Sequence, residues 1–532
     1  MTIKIFVADD VSDTGLEPLR SAGFEVEKRV GLSRAELAEA LKDSDGLIVR
    51  SETKVTAELL DETTSLRVIG RAGVGVDNID VPAATVRGVV VMNAPDGNTI
   101  TTAEHTIALL VSLARSIPQA NSSLKAGRWE RKKFIGVELQ GKTLGIVGLG
   151  RIGRVVASRA RALGMQIVAY DPFIAPEQAR DLEIELTPLD EVYARADFLT
   201  VHTPLTAETR GLIGRDVLGK MKHGARLINC ARGGLVDEDA LFEALTNGSI
   251  AGAALDVFSE EPPPQDHRLL QLDQVIATPH LGASTTEAQE GVAFTVAEQM
   301  RDFFLTGVLR GAVNVPAISV KEFNVMQPYV ALADSLGRFQ AQLVDQAVNE
   351  VRIEFAGEVV DLDATPVTRA FLAGFLRDVS ARVNVVNAFL IADERGIKVT
   401  TTYVRSAAGE NAPAMRTEIM AGPSRRSLAG NLIGYAGQRR EGRITEIDGF
   451  NLEAIPNGHL LVMRNHDVPG VIGKVGTILG EGGVNIGRFH LGRRERGGEA
   501  MAVIEVDAQL RRETLQSLRA LEEVISAQPI EL

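Results

Sequence analysis

A short apolar run, KTLGIVGLG (Lys142–Gly150), passes directly into RIGRVVASRARALG (Arg151–Gly164), and the join carries Gly148, Gly150 and Gly153. That pattern predicts a strand, a tight turn and a helix that a glycine ends. Gly148 permits the turn, Gly150 lets backbone approach a pyrophosphate, and Gly153 lets the helix pack on the strand. The N–H groups that open the helix then face the phosphates. The next strand, MQIVAYD, ends on Asp171. A carboxylate there accepts hydrogen bonds from the ribose hydroxyls and repels a 2′-phosphate, which favours NAD over NADP. A glycine triplet alone is weak evidence, but the strand, the helix and the acid together give the context the motif needs.

Four more apolar runs follow at βα spacing: DFLTVHTPL, ARLINCARGG, GAALDVF and QVIATPH. Their C-terminal ends carry Thr203, Cys230, Arg232, Asp256 and His280, the end at which open α/β sheets bind ligands. Glu261 lies just beyond, in the proline-stiffened SEEPPP loop. Oxidising a secondary alcohol requires a base that titrates near the working pH, and His280 suits it. A carboxylate hydrogen-bonded to that imidazole fixes its tautomer, and an arginine fork holds a substrate carboxylate. His202 is the nearest rival proton carrier, and residue type does not choose between Glu260 and Glu261. Cys230 has no base nearby in sequence and reads as packing.

In order, GLGRIG, VHTPLT, INCARGGLVDE, ALDVFSEEP and TPHLGAST resemble the D-isomer-specific 2-hydroxyacid dehydrogenases. The resemblance implies Arg232, Glu261 and His280 as the catalytic set. It also implies an NAD site lined by Arg151, Ile152, Asp171, Thr203, Cys230, Asp256 and the His280–Gly282 turn. A flavodoxin-like first domain is expected, and IKIFVADD, DGLIVRSET, LRVIGRAG and GVVVMNAP supply its strands. Arg50 and Arg71 sit at strand ends facing the cleft, and Gly73 and Gly75 offer backbone N–H groups to an anion. NTITTAEHTIALLVSLAR reads as a crossing helix, with Asn98 near the substrate. A return helix over about 284–304 closes the first domain, so its sequence is split: 1–97 and 283–312, around a Rossmann NAD domain at 98–282.

The chain continues to residue 532, enough for two further domains. GAVNVPAIS marks the break. An α+β intervening domain is expected over 313–454, with a helical run from Val330, strands near 351–355 and 399–403, a helix around 368–384 and a hairpin-rich end. PSRRS and GQRREGR within it suit an effector anion or a solvated surface. From 455 to 532 the β-α-β-β-α-β rhythm resembles a ferredoxin-like ACT domain. That resemblance implies an amino-acid site at Asn465, Asp467, Gly470 and Asn485, with pairing across subunits.

This whole arrangement resembles the long-form members of the dehydrogenase family. It implies NAD-dependent oxidation of 3-phospho-D-glycerate to 3-phosphohydroxypyruvate, the first step of serine synthesis, with serine as a candidate effector. Two anionic substrate ends agree with three arginines: Arg232 for one, Arg50 and Arg71 for the other. WERKKF (Trp129–Phe134) either reaches a neighbouring subunit's cleft or is a solvated charge run. The rival readings are a sibling enzyme acting on hydroxypyruvate, glyoxylate or D-lactate, and a non-enzymatic NAD-sensing scaffold.

A net charge of −13 argues against a nucleic-acid partner. One cysteine excludes a disulfide framework and fits a reducing, cytoplasmic setting. No apolar run is long enough to span a bilayer, no leader segment precedes the first strand, and no His/Cys cluster has metal-ligand spacing. A homo-oligomer is expected.

Overall fold

The computed structural model describes residues 2–316, 320–380, 382–405, 414–434 and 440–532. Parts of the GAVNVPAIS break (317–319) and of GQRREGR (437–439) lie outside these. Among the described residues the chain forms four sheets.

The first is all parallel, in the order Glu25–Lys28, Lys4–Val7, Gly46–Val49, Val68–Arg71, Val90–Asn93. The edge strand Glu25–Lys28 was not expected. EVEK has no apolar run, because an edge strand buries little and is carried by its pairing with Lys4–Val7. The inner strand GLIV is buried throughout and needs cover on each face, and the far edge strand VVMN is buried over its first three residues. Helix Thr286–Thr306 covers one face through Val292, Ala293, Val296, Ala297 and Met300, so the first domain is completed from far along the chain. The close approach is steric: a Cβ on Gly70 would lie 2.4 Å from the Val296 side chain.

The second sheet is also parallel: Val275–Ala277, Ile250–Leu255, Ala225–Asn229, Phe198–Val201, Thr143–Val147, Gln166–Tyr170, Glu185–Leu186. The strand order reverses at Thr143–Val147, which places the glycine loop at the switch point. The crossing helix, Thr99–Arg115, buries Thr102, Ala103, Thr106, Leu109, Leu110, Leu113 and Ala114, the stripe expected of one helical face.

The third sheet pairs Lys398–Val404 in parallel with Glu350–Ala356 and continues antiparallel through Met415–Ala421, Ser424–Ile433, Glu441–Ile447 and Phe450–Ala454. Helix Val320–Ala341 packs on it and on helix Thr365–Phe375. The helix expected over 368–384 ends at Phe375. The β-branched and Asn-rich VNVVN stretch leaves the helix, and its side chains bond elsewhere: Asn384 Nδ2 donates to Gly88 O at 2.8 Å and Asn387 Nδ2 to Val86 O at 3.1 Å. The intervening domain thereby rests on the first domain. Leaving the dehydrogenase, the chain adds to the first sheet's edge: Val313 N–H donates to Val91 O at 2.8 Å and Asn93 N–H to Gly311 O at 3.0 Å.

The last sheet is antiparallel, ordered Ile486–Arg493, Glu499–Val506, His459–His466, Val524–Glu531, with helices Val471–Glu481 and Arg512–Arg519 on one face. No helix among the described residues is long and apolar enough to cross a membrane.

Candidate active site

The glycine loop has the geometry its sequence predicts. Gly148 has φ +94, and a Cβ there would lie 2.6 Å from His202 O. A Cβ on Gly153 would lie 2.2 Å from Gly148 O, whereas Gly150 faces open space at the start of helix Arg151–Ala162. Asp171 braces the loop, accepting the Leu149 N–H at 2.8 Å and the Phe173 N–H at 2.9 Å. Each carboxylate oxygen has a second acceptor position, so Asp171 can still receive ribose hydroxyls. Arg151 Nε lies 2.6 Å from Asp96 Oδ1.

A cavity of about 280 Å³ opens between the first two domains, bordered by Gly150, Ile152, Thr203, Cys230, Arg232 and His280. Asn98 and Gly282 also line it. Thr203 Oγ1 and Asn98 Oδ1 are buried without a protein partner. Open space over Gly150, a free carboxylate edge and orphaned polar atoms make a site that fits a dinucleotide.

His280 lies three residues past strand Val275–Ala277 in an unusual backbone state, φ +55, which costs a non-glycine residue about 1 kcal/mol. Asp256 holds it there. The His280 N–H donates to Asp256 O at 2.9 Å, while the Asp256 carboxylate accepts the Leu281 and Gly282 N–H groups, each at 2.8 Å. His105 Nε2 lies 3.0 Å from the same carboxylate. Burial pushes the Asp256 carboxyl up, but the His105, Thr278 and Leu281 hydrogen bonds outweigh it and hold it below the usual carboxylate range.

The choice between Glu260 and Glu261 is settled by distance. His280 Nδ1 lies 2.7 Å from Glu261 Oε2, and Glu261 Oε1 accepts the Phe258 N–H at 3.0 Å. Burial again opposes ionisation, and these two bonds reverse it, so Glu261 stays a carboxylate. His202 is half-buried, and desolvation drives its imidazole down to about 4, which leaves it neutral. Burial pushes the Cys230 thiol up to about 12, in keeping with packing.

Three guanidiniums converge on the substrate side. Arg232 Nε donates to Asp77 Oδ2 at 3.0 Å and Nη1 to Ala231 O at 2.6 Å. Burial, then the Arg232 and Arg50 charges, pushes Arg71 down to about 10, and its Nε has no partner. The loop beyond Arg50 is anchored by buried Asp9, which accepts the Arg50 N–H at 2.6 Å and the Thr53 N–H at 3.1 Å. The two glycines also serve in a way the sequence did not suggest. The Gly73 N–H is taken by Arg71 O at 2.8 Å. Their missing side chains make room: a Cβ on Gly73 would sit 1.4 Å from Arg71 Nη1, and one on Gly75 2.0 Å from Arg232 Nη2.

In the last domain, Asn465 is buried with Oδ1 unpartnered, and Asp467 Oδ2 lies 3.1 Å from both Arg493 Nη1 and the Gly497 N–H. Gly470 caps the following helix at φ +94. Asn485 is not beside them. Register places Ile486 across from Val506 and so His459, and Arg493 across from Ala500 and Asn465. Asn485, bonded to Asp507 at 2.8 Å, therefore lies roughly 20 Å along the strands from the other three.

Comparison with known proteins agrees with this geometry. Residues 107–282 match the D-isomer specific 2-hydroxyacid dehydrogenase NAD binding domain, 325–448 the D-3-phosphoglycerate dehydrogenase intervening domain, and 459–523 the ACT domain. The chain is 44% identical over 532 residues to D-3-phosphoglycerate dehydrogenase of Bacillus subtilis, covering 99% of each chain. The chain belongs to the D-3-phosphoglycerate dehydrogenase family. The Archaeoglobus fulgidus enzyme of that name is 42% identical, with 100% of each chain covered. Among solved structures, the NAD+-bound 3-phosphoglycerate dehydrogenase of Entamoeba histolytica is 30% identical with a TM-score of 0.51, covering 59% of this chain and 99% of that one. This chain is an α/β, NAD-dependent oxidoreductase with an intervening and an ACT domain. Sequence reasoning missed Asp77, His105 and Asp9, which position Arg232, Asp256 and the Arg50 loop from distant segments; an aspartate at a strand end was the only local signal, and only for Asp9.

Proposed function

We propose that this chain oxidises 3-phospho-D-glycerate to 3-phosphohydroxypyruvate, with Arg232, Glu261 and His280 carrying the reaction. The observation that supports the substrate is the half-buried Arg71, which feels the charges of Arg232 and Arg50 and has a buried, unpartnered Nε. Like charges this close favour a multiply charged anion, and a phosphate with a carboxylate meets all three. Arg232 holds the carboxylate end, Arg50 and Arg71 the phosphate, and Asn98 the region between them. Gly148–Gly153 and Asp171 would hold NAD, which would supply the two-electron acceptor. His280 Nε2, the ring nitrogen not engaged with Glu261, takes the hydroxyl proton. Glu261 keeps the ring oriented and stabilises the imidazolium that results.

The domains divide as the sequence suggests: 1–97 with 283–312 for substrate, 98–282 for NAD, 313–454 intervening and 455–532 for effector binding. Asn465, Asp467 and Gly470 of one copy meet Asn485 of a second in this reading, with serine as the effector. Self-association also suits the exposed Leu124, Trp129 and Ile135. The test compares NADH consumption with phosphohydroxypyruvate, hydroxypyruvate and glyoxylate. A strong preference for the phosphorylated acid is expected. Equal rates on all three would discard the phosphate site.

A further inference from the structure

The His280–Glu261 pair has a counterpart that grips the same loop from a neighbouring helix. Glu238 Oε2 lies 3.0 Å from His267 Nε2, and Glu238 Oε1 accepts the Ser259 N–H at 2.7 Å. Glu261 Oε1 accepts the preceding N–H, that of Phe258. Two carboxylates thus take consecutive backbone N–H groups where the loop begins, and each also holds an imidazole. His267 secures the loop's far end: its N–H donates to Pro264 O at 3.0 Å, and its ring meets Phe258 edge-on with centroids 5.6 Å apart. The Glu238 and His267 side chains are mostly buried, 20% and 17% exposed.

Glu238 also belongs to the other half of the chemistry. It opens helix Glu238–Thr246, which begins where the loop carrying Arg232 ends. The two loops touch nearby, since a Cβ on Gly233 would fall 1.8 Å from Phe258 O. One backbone contact leaves the Phe258–Ser259 peptide free to tilt about it. A second fixed point removes that freedom, and the Glu238–Ser259 bond supplies one.

We propose that Glu238, braced by His267, is a positioning residue that fixes the Phe258–Ser259 peptide and so sets where Glu261 presents its carboxylate to His280. The inference rests on the catalytic roles proposed above. Without Glu238, the Ser259 N–H and the His267 ring both lose their partner, and the Phe258 N–H that orients Glu261 moves with the released peptide. Misplacement of a catalytic group by ~1 Å costs up to about a hundredfold in rate, without loss of substrate binding.

The test is steady-state oxidation of 3-phosphoglycerate by the full-length protein and its Glu238→Ala, Glu238→Gln and His267→Ala variants, with NADH binding followed by fluorescence. Glu238→Ala is expected to lower kcat by ten- to a hundredfold, with both KM values and NADH affinity within about twofold of wild type. Glu238→Gln keeps an acceptor for Ser259 N–H and should restore most of that loss. His267→Ala should lower kcat in the same selective way but less, and it decides the matter if Glu238→Ala does not fold. Unchanged kcat in folded Glu238→Ala and His267→Ala, or KM rising in step with the loss, would overturn the inference alone. Absence of wild-type turnover would overturn it together with the proposed reaction.

Discussion

Arg232 Nε donates to Asp77 Oδ2 at 3.0 Å, joining the nucleotide domain to the substrate domain through residues 155 positions apart. With Nη1 engaged by Ala231 O, the guanidinium is oriented before substrate arrives, and Nη2 is its edge nearest Gly75. A charge-assisted hydrogen bond contributes about 1.5 kcal/mol or more, and 1.4 kcal/mol is a factor of ten. Asp77→Ala is therefore expected to lower kcat/KM about tenfold, and Asp77→Asn, which keeps an acceptor, to recover most of it. Equal kcat/KM in wild type and Asp77→Ala would remove Asp77 from the orientation of Arg232.

His280→Ala should reduce kcat by ~10²–10⁴ while NADH binding persists, as for loss of a general base. Stopped-flow turnover beside fluorescence titration separates the two. Wild-type turnover would take His280 out of the mechanism.

Arg71→Met removes the half-buried guanidinium but keeps an apolar stem. The preference for phosphohydroxypyruvate over hydroxypyruvate should shrink by at least tenfold, because a charged hydrogen bond contributes about 1.5–3 kcal/mol. A preserved ratio would place the phosphate elsewhere.

Asp171→Ala should weaken discrimination against NADP, since the carboxylate no longer opposes a 2′-phosphate. The measurement is kcat/KM for each cofactor. The same substitution removes the acceptor for the Leu149 N–H, so a fall in NAD affinity is expected alongside. An unchanged NAD/NADP ratio would exclude the ribose reading.

The Asp256 carboxyl is held below its ordinary range in the folded protein. A carboxyl depressed on folding adds stability above its unfolded pKa, about 3.9, and loses it as pH falls through the folded value. The Tm gap between wild type and Asp256→Asn should be widest near neutral pH and close below about pH 4. A gap independent of pH would assign the effect to packing.

The parts of this molecule legible in sequence are those with local signals. The glycine loop, Asp171 and the strand-end positions of Arg232, Asp256 and His280 each follow from a strand, a turn and a helix in succession. Glu261 over Glu260 was not legible, because only the folded loop turns one of two adjacent carboxylates toward His280. Asp77 and His105 reach their partners from 155 and 151 positions away, and no periodicity encodes such pairings. The space that Gly73 and Gly75 leave to two arginines was not legible, because it depends on side chains that only the fold brings there. Strand Glu25–Lys28 escaped because its pairing, not its composition, makes it a strand.

The segment leaving the dehydrogenase is hydrogen-bonded to the edge of the first sheet at Val91 and Asn93, and Asn384 and Asn387 grip the turn just before that strand. The intervening and ACT domains thus follow a segment paired with a strand whose far end leads through Asn93 to Asn98 at the cleft. The route from residue 316 to the cavity wall at Asn98 is therefore one short strand and the turn that follows it.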